Sequence, residues 1–207
     1  MASYFEAGLV YKGANMDISY NNLTSLEGCP DIISGSFNCS RNKLKSLSDG
    51  PKLVDGDYNC RTNQLTSLRF TPEHITGAFR CDHNQLTNLH NGPQRVDGHY
   101  QCSFNDHLTD LVGCASHIGG ILVITGNPIT SLIGIHKIIK SCKGISLDGY
   151  TVTLGGIGLL LIENLTEILD DSEPFNIIKS YLGSGTKGMM ECSKELIEKG
   201  YSNYAKL

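Results

Sequence analysis

The feature that most constrains this chain is an asparagine that returns at a fixed interval. Asn21, Asn42, Asn63, Asn84 and Asn105 are 21 residues apart, and Asn127 follows after 22. Other columns keep the same phase. Leucines stand two and five places after the first four asparagines, as in Leu44 and Leu47, and Cys39, Cys60, Cys81 and Cys102 stand three before Asn42, Asn63, Asn84 and Asn105. Pro30, Pro51, Pro72 and Pro93 recur upstream, as do Gly35, Gly56, Gly77, Gly98 and Gly120, with Ile33, Val54, Ile75, Val96 and Ile118 two places before those glycines. The unit reads P-x-x-[VI]-x-G-x-[FY]-x-C-x-x-N-x-L-[TK]-[SN]-L. A period of this length means stacked supersecondary units rather than a single closed core.

The segment G-x-[FY]-x-C-x alternates apolar and other residues, the period of a strand with one buried face. The asparagine ends it, and its amide can satisfy backbone groups at the turn. The leucines that follow point back into the core, and the Gly-Pro region turns the chain towards the next strand. One unit of this size cannot bury its apolar side alone, whereas stacked units share a continuous core beneath a parallel sheet. The expected fold is an α/β repeat: a solenoid with a parallel β-sheet of 21-residue coils and a C-terminal helical cap.

The pattern resembles the leucine-rich-repeat family, whose core motif is L-x-x-L-x-L-x-x-N-x-L. Phe37 and Cys39, Tyr58 and Cys60, Phe79 and Cys81, and Tyr100 and Cys102 take its second and third leucine positions, and Asn42 with Leu44 matches directly. The first leucine column is replaced by Ser34, Asp55, Thr76 and Asp97. The short unit, with proline before the strand, is similar to the compact bacterial type. The spelling F-x-C-x-x-N-x-L-T-S-L also resembles repeat proteins of tailed bacteriophages. The resemblance covers residues 15–135.

A stack of coils needs covered ends. Residues 1–14, with Tyr4, Phe5, Leu9, Val10 and Tyr11, are expected to form an N-terminal cap. The solenoid is expected over 15–169, regular to 135 and degenerate over 136–169, where KSCKGISL (140–147) and GLLLIENL (158–165) read as further strands. Residues 170–207 are expected to be the helical cap. Asp170-Asp171-Ser172-Glu173-Pro174 is a helix-start signal. Its helix buries Phe175, Ile178 and Leu182 and stops at Gly183, and a second runs from Gly188 to Lys199 with Met189, Cys192 and Leu196 on one face.

Four cysteines in register raise the question of metal or disulfide. Adjacent parallel strands lie ~4.8 Å apart with side chains pointing the same way. A disulfide needs converging Cβ atoms and zinc needs ligands around one point, so a straight column suits neither. Ile18 and Ile124 share the column, so it is expected to be packing, with thiols as small hydrophobes; Cys29 and Cys114 read the same way. Cys142, between Lys140 and Lys143, is the one thiol whose neighbours would lower its pKa if exposed. The seven histidines form no H-x-x-x-H or H-E-x-x-H, and neither GTKG nor LGGIG continues as a phosphate loop. No catalytic residue, cofactor or metal is expected.

Charged residues make up 18% and the formal net charge is −4, which argues against a nucleic-acid partner. The opening MASYFEAGLVYKGANM lacks the grammar of a signal peptide, and GIGLLLI (156–162) is too short to cross a bilayer. The expectation is a cytoplasmic protein with reduced thiols and no membrane partner.

In leucine-rich repeats the residues between the buried ones line the concave side. By phase these include Asn38, Ser40, Arg41, Asn59, Arg61, Thr62, Arg80, Asp82, His83, His99, Gln101, Ser103 and Phe104, continued by Ile121, Val123 and Thr125. Arg61, Arg80, Asp82, His83, His99, Gln101 and Phe104 are the candidate partner-binding residues, because arginines and aromatics on a rigid sheet suit protein-contact anchors. The resemblance implies a non-enzymatic phage protein that binds and occludes a host protein or defence complex in the infected cell's cytoplasm. Two further readings stand beside it. One is sequestration of a nucleotide messenger, with Arg61, Arg80 and His99 on phosphates and Phe104 on the base; the other is a virion structural component.

Overall fold

The computed structural model describes residues 14–147 and 151–207. The proposed N-terminal cap residues Tyr4, Phe5, Leu9, Val10 and Tyr11 lie outside the described residues. In chain order the strands are β1 (Met16–Asp17), β2 (Ile32–Ile33), β3 (Phe37–Asn38), β4 (Leu53–Val54), β5 (Tyr58–Asn59), β6 (His74–Ile75), β7 (Phe79–Arg80), β8 (Arg95–Val96), β9 (Tyr100–Gln101) and β10 (His117–Val123). Then come a single helical turn α1 (Ile135–Ile138), β11 (Ser141–Ser146), β12 (Glu167–Leu169), and helices α2 (Glu173–Ser180) and α3 (Gly185–Glu198).

The main ladder runs β1-β3-β5-β7-β9-β10-β11-β12, every pair parallel. The chain is a parallel-strand solenoid of about seven turns. Its register is the one the repeat dictates. Met16, Phe37, Tyr58, Phe79, Tyr100, Leu122, Ile145 and Ile168 align along the buried face. Asp17, Asn38, Asn59, Arg80, Gln101, Val123, Ser146 and Leu169 align on the other. The aromatic rings stack edge-on along the axis, with centroids 5.2 Å (Phe37–Tyr58), 5.8 Å (Tyr58–Phe79) and 5.1 Å (Phe79–Tyr100) apart. Tyr58 and Tyr100 are fully buried, and their hydroxyls have no hydrogen-bond partner.

The coils from β2 to β10 also carry a second short strand at the isoleucine or valine column: β2 pairs β4, β6 pairs β8, and β8 pairs β10. The glycine two places on stands between the two strands of a coil. Its role is not the left-handed turn that glycine often signals, since the φ angles of Gly35, Gly56, Gly77, Gly98 and Gly120 are not positive. Coils touch there through backbone. A Cβ on Gly77 would come within 2.5 Å of the Gly56 carbonyl carbon, and one on Gly98 within 2.7 Å of that of Gly77. Glycine is required by close approach.

The asparagines tie each coil to its neighbour. Asn42 Oδ1 accepts from the backbone N–H of Asn21 and Leu23, both at 3.0 Å, while its Nδ2 donates to Ile18 O at 2.9 Å and Cys39 O at 3.0 Å. Asn63, Asn84 and Asn105 repeat the arrangement with Leu44, Leu65 and Leu86 as donors. The expected role of this column, satisfying backbone at the turn, is what the geometry shows.

Beyond Asn127 the expectations divide. KSCKGISL is strand β11, as read from sequence. GLLLIENL is not a strand: Ile157–Leu161 form a 3-10 turn, and the strand follows at Glu167–Leu169. Gly155 and Gly156 both take positive φ, and the backbone N–H groups of Gly155 and Ile157 donate to Asn203 O and Tyr204 O of the chain's tail. Those donors go to the tail, and within the run Glu163 alone makes a parallel bridge, to Ser141 of β11. Helix α2 begins at the predicted signal with Pro174 in its first turn, yet the Ser172 hydroxyl bonds Asp170 instead of capping the helix. Helix α3 starts three residues earlier than expected, at Gly185. Phe175, Ile178, Cys192 and Leu196 join the same continuous core that begins at Met16. Among the described residues, no helix is long and apolar enough to cross a membrane.

Candidate functional site

All eight cysteines are free, and seven are buried; Cys29 is half-buried. Burial pushes every thiol in the Cys39, Cys60, Cys81 and Cys102 column up from its ordinary value. Cys142, whose flanking lysines suggested activation, is fully buried, and burial raises its thiol to about 12. The thiol sits on the inner face of β11 while Lys143 points outward, so the lysine charge does not reach it. Among the described residues, no group of three or more His, Cys, Asp or Glu side chains is placed to hold a metal ion.

The candidate partner-binding residues fall into two neighbouring clusters. Arg80 and Gln101 are register partners on the outer face of the main ladder. Arg80 Nη1 reaches Asp57 Oδ2 at 2.8 Å, and Asp57 Oδ1 accepts from Ala78 N at 2.8 Å. Burial alone would raise the Asp57 carboxyl, but these two bonds, with the Arg80 charge, hold it below its ordinary value. His99 Nδ1 accepts from Ile121 N at 3.0 Å, which places the proton of the neutral ring on Nε2. Asp57 is the member that sequence reading missed. It precedes the aromatic, whereas the candidate list was drawn mainly from positions after it. Its column has its own logic: Asn15 Oδ1, Ser36 Oγ, Asp57 Oδ1 and His99 Nδ1 each accept a backbone N–H of the next coil.

The second cluster is Arg61, Asp82, His83 and Phe104. His83 Nδ1 lies 3.1 Å from Asp82 Oδ2, and the His83 and Phe104 rings are 4.6 Å apart. Arg61 Nε and Asp82 Oδ1 are buried with no hydrogen-bond partner. In the same column Ser40 and Ser103 are buried rather than exposed, so the residue after each cysteine leans into the coil. The open positions are one place further on. There the backbone is left-handed in six successive coils: Tyr20 (φ 59°), Arg41 (55°), Thr62 (54°), His83 (53°), Phe104 (54°) and Gly126 (69°). This turn lets the following asparagine point inward and swings its predecessor out as a rim.

The rim side chains are exposed and stack along the axis. The Arg41 guanidinium lies 5.0 Å from the Tyr20 ring centroid, and the Phe104 ring rests on Gly126, where a Cβ would come within 2.5 Å of it. A left-handed backbone costs a residue bearing a Cβ roughly 1–2 kcal/mol, and β-branched Thr62 is the least suited to it. Comparison with protein-family models, curated proteins and solved structures finds no match.

Proposed function

We propose that this chain is a non-enzymatic protein-interaction module of the short leucine-rich-repeat type, with its two C-terminal helices closing the last coil. In this reading it is phage-encoded and acts in the cytoplasm of the infected cell. It binds and occludes a host protein or defence complex through the concave face of the repeats. The observation that carries the reading is the rim: Tyr20, Arg41, His83 and Phe104 are held exposed in a backbone state that glycine or asparagine would adopt at less cost. Strain kept at one surface column is a mark of function. Tyrosine and arginine are the residue types that dominate binding energy at protein interfaces. Arg61, Arg80, Asp82, His99 and Gln101 flank the rim and supply polar complementarity.

Asparagine tolerates the left-handed state, so Arg41→Asn and Phe104→Asn remove the anchors without adding strain. Affinity capture from phage-infected cells with the unmodified chain and these two variants, followed by measured affinities for any captured partner, tests the reading. At least a tenfold loss in both variants is expected. Equal affinity in all three chains would refute the role of the rim. A second reading, nucleotide sequestration, draws on the small Thr62 side chain between Arg41 and His83. Two coil steps of ~4.8 Å separate those planes, room for one planar ring. A thermal-shift screen against nucleotides tests that alternative: a saturable rise lost in His83→Asn supports it, and no rise removes it.

A further inference from the structure

The flank formed by the second, shorter ladder holds a different surface. That ladder is interrupted once along its length: β2 pairs β4, and β6 pairs β8, but β4 does not pair β6. In the intact steps Leu53 N donates to Asp31 O and Asp55 N to Ile33 O, and likewise Arg95 N to Glu73 O and Asp97 N to Ile75 O. The equivalent bonds, from His74 N to Lys52 O and from Thr76 N to Val54 O, are missing. The coils are not sprung apart, since Gly77 N still donates to Gly56 O at 3.0 Å just beyond. At this step the surface carries a groove of about 570 Å³ lined by Leu53, Val54, Asp55, Glu73, His74 and Thr76, and the Thr76 hydroxyl donates to Asp55 Oδ1 at 3.2 Å. A second groove of about 470 Å³ adjoins it through shared Lys52, Pro72 and Glu73, and reaches Asp49 and Phe70.

The repeat itself departs from its pattern here. Where other coils place Ser48-Asp49-Gly50 and His90-Asn91-Gly92 before the proline, this one has Arg69-Phe70-Thr71. Phe70 is left-handed (φ 77°) in a column otherwise filled by Gly28, Asp49, Asn91 and Gly113, and it is half-exposed with Arg69 over its ring at 4.9 Å. Leu53 is half-exposed as well. The charge is one-sided. Asp31, Asp49, Asp55 and Glu73 line the two grooves; Lys52 is engaged by Asp31 at 2.9 Å, Asp55 accepts from the Thr76 hydroxyl at 3.2 Å, and the Arg69 guanidinium is stacked on Phe70. The Asp49 and Glu73 carboxylates have no hydrogen-bond or ion-pair partner among the described residues.

We infer that this double groove is a docking site for an extended, cationic segment of a partner protein, one that alternates lysine or arginine with leucine-like side chains. The apolar floor of Leu53, Phe70 and Pro72 takes the apolar side chains, and Asp49 and Glu73 take the cations. The Gly56–Gly77 clamp means that the segment lies along the groove without entering between coils. The carboxylates repel nucleic acid and anionic lipid, so charge complementarity selects a basic peptide.

The test uses the full chain, ¹⁵N-labelled, titrated with the acetylated, amidated peptide KLKLKLK and with ELELELE. The expected result is saturable one-to-one binding of KLKLKLK with amide shifts centred on residues 52–55 and 73–76, and at least tenfold weaker binding of ELELELE. Asp49→Lys with Glu73→Lys should weaken KLKLKLK at least tenfold. Phe70→Gly should do so while raising the thermal midpoint, because it relieves a strained position; lost binding therefore cannot be attributed to unfolding. Shifts centred on the rim or the helices, comparable binding of both peptides, or affinity unchanged in the variants would each overturn the proposal.

Discussion

Replacing Asn84 with alanine tests whether the asparagine ladder holds the coils together. Asn84 Oδ1 accepts from Leu65 N at 3.0 Å, and its Nδ2 donates to Cys81 O, Cys60 O and Asp82 O at 3.1, 3.2 and 3.3 Å. In Asn84→Ala the Leu65 N–H loses its acceptor at a buried position, and an orphaned buried donor costs about 1–3 kcal/mol. The carbonyls lose less, because Cys60 O keeps Asn63 Nδ2 and Cys81 O keeps Asn105 Nδ2. Each then forfeits the second of two bonds, about 0.5 kcal/mol apiece. The sum is a loss of about 2–4 kcal/mol. Asn21 is the control. It is exposed, and its amide only donates to Ser19 O, so Asn21→Ala should cost about 0.5 kcal/mol or less. Urea unfolding followed by circular dichroism measures both, with the slopes compared first because a solenoid can unfold in parts. Asn84→Asp keeps an acceptor for Leu65 but turns a carboxylate onto three carbonyls, and should fall below the alanine variant at neutral pH. A difference between Asn84→Ala and Asn21→Ala smaller than about 1 kcal/mol would refute the account.

Four further outcomes are expected. Gly77→Ala forces a methyl against the Gly56 carbonyl carbon and should lower stability by about 3 kcal/mol or more, measured by the same unfolding curves. Thr62→Asn relieves a β-branched residue at φ 54° and should raise stability by about 1 kcal/mol. Tyr58→Phe deletes a buried hydroxyl that has no partner and should be neutral or stabilising by about 1 kcal/mol, in contrast to the usual cost of core truncation. Burial raises the Cys114 and Cys142 thiols from 9.0 to about 12. Their contribution is fully present below the unfolded value and is lost as pH rises through the 9–12 window towards the folded one. The thermal midpoint should therefore fall on the alkaline side, and less steeply in Cys142→Val.

The repeat made the main ladder legible because Met16, Phe37, Tyr58, Phe79 and Tyr100 share one phase: an error at Phe37 would have been an error at Tyr58, Phe79 and Tyr100 too. The asparagine role followed from its chemistry. What escaped was local. The second strand at Ile33, Val54, Ile75 and Val96 offers one buried apolar residue per coil, with no alternation around it to mark a strand. The apolar run at 158–165 carried no signal separating strand from 3-10 turn, and its fate was decided by Asn203 and Tyr204, some 40 residues away. The rim was half-visible. Arg41, Thr62, His83 and Phe104 were placed on the open face, but nothing in threonine or phenylalanine announces a left-handed backbone. Of the candidate residues, Arg80 with His99 and His83 with Phe104 lie close together. Asp57, which organises the first pair, was hidden because its coil position reads as part of a turn.

The bonds that step from one coil to the next join like to like. Asn15 to Ser36, Ser36 to Asp57 and Asp57 to Ala78 are links across 21 residues, as are Asp17 to Asn38 and Asp31 to Lys52. Cutting out or copying in one 21-residue block between Asn21 and Asn105 keeps the main ladder and the asparagine bonds in register. Length is therefore a quantity that such a gene can change in whole steps of ~4.8 Å. The exposed strand face lengthens or shortens with it, like a ruler whose smallest division is one coil.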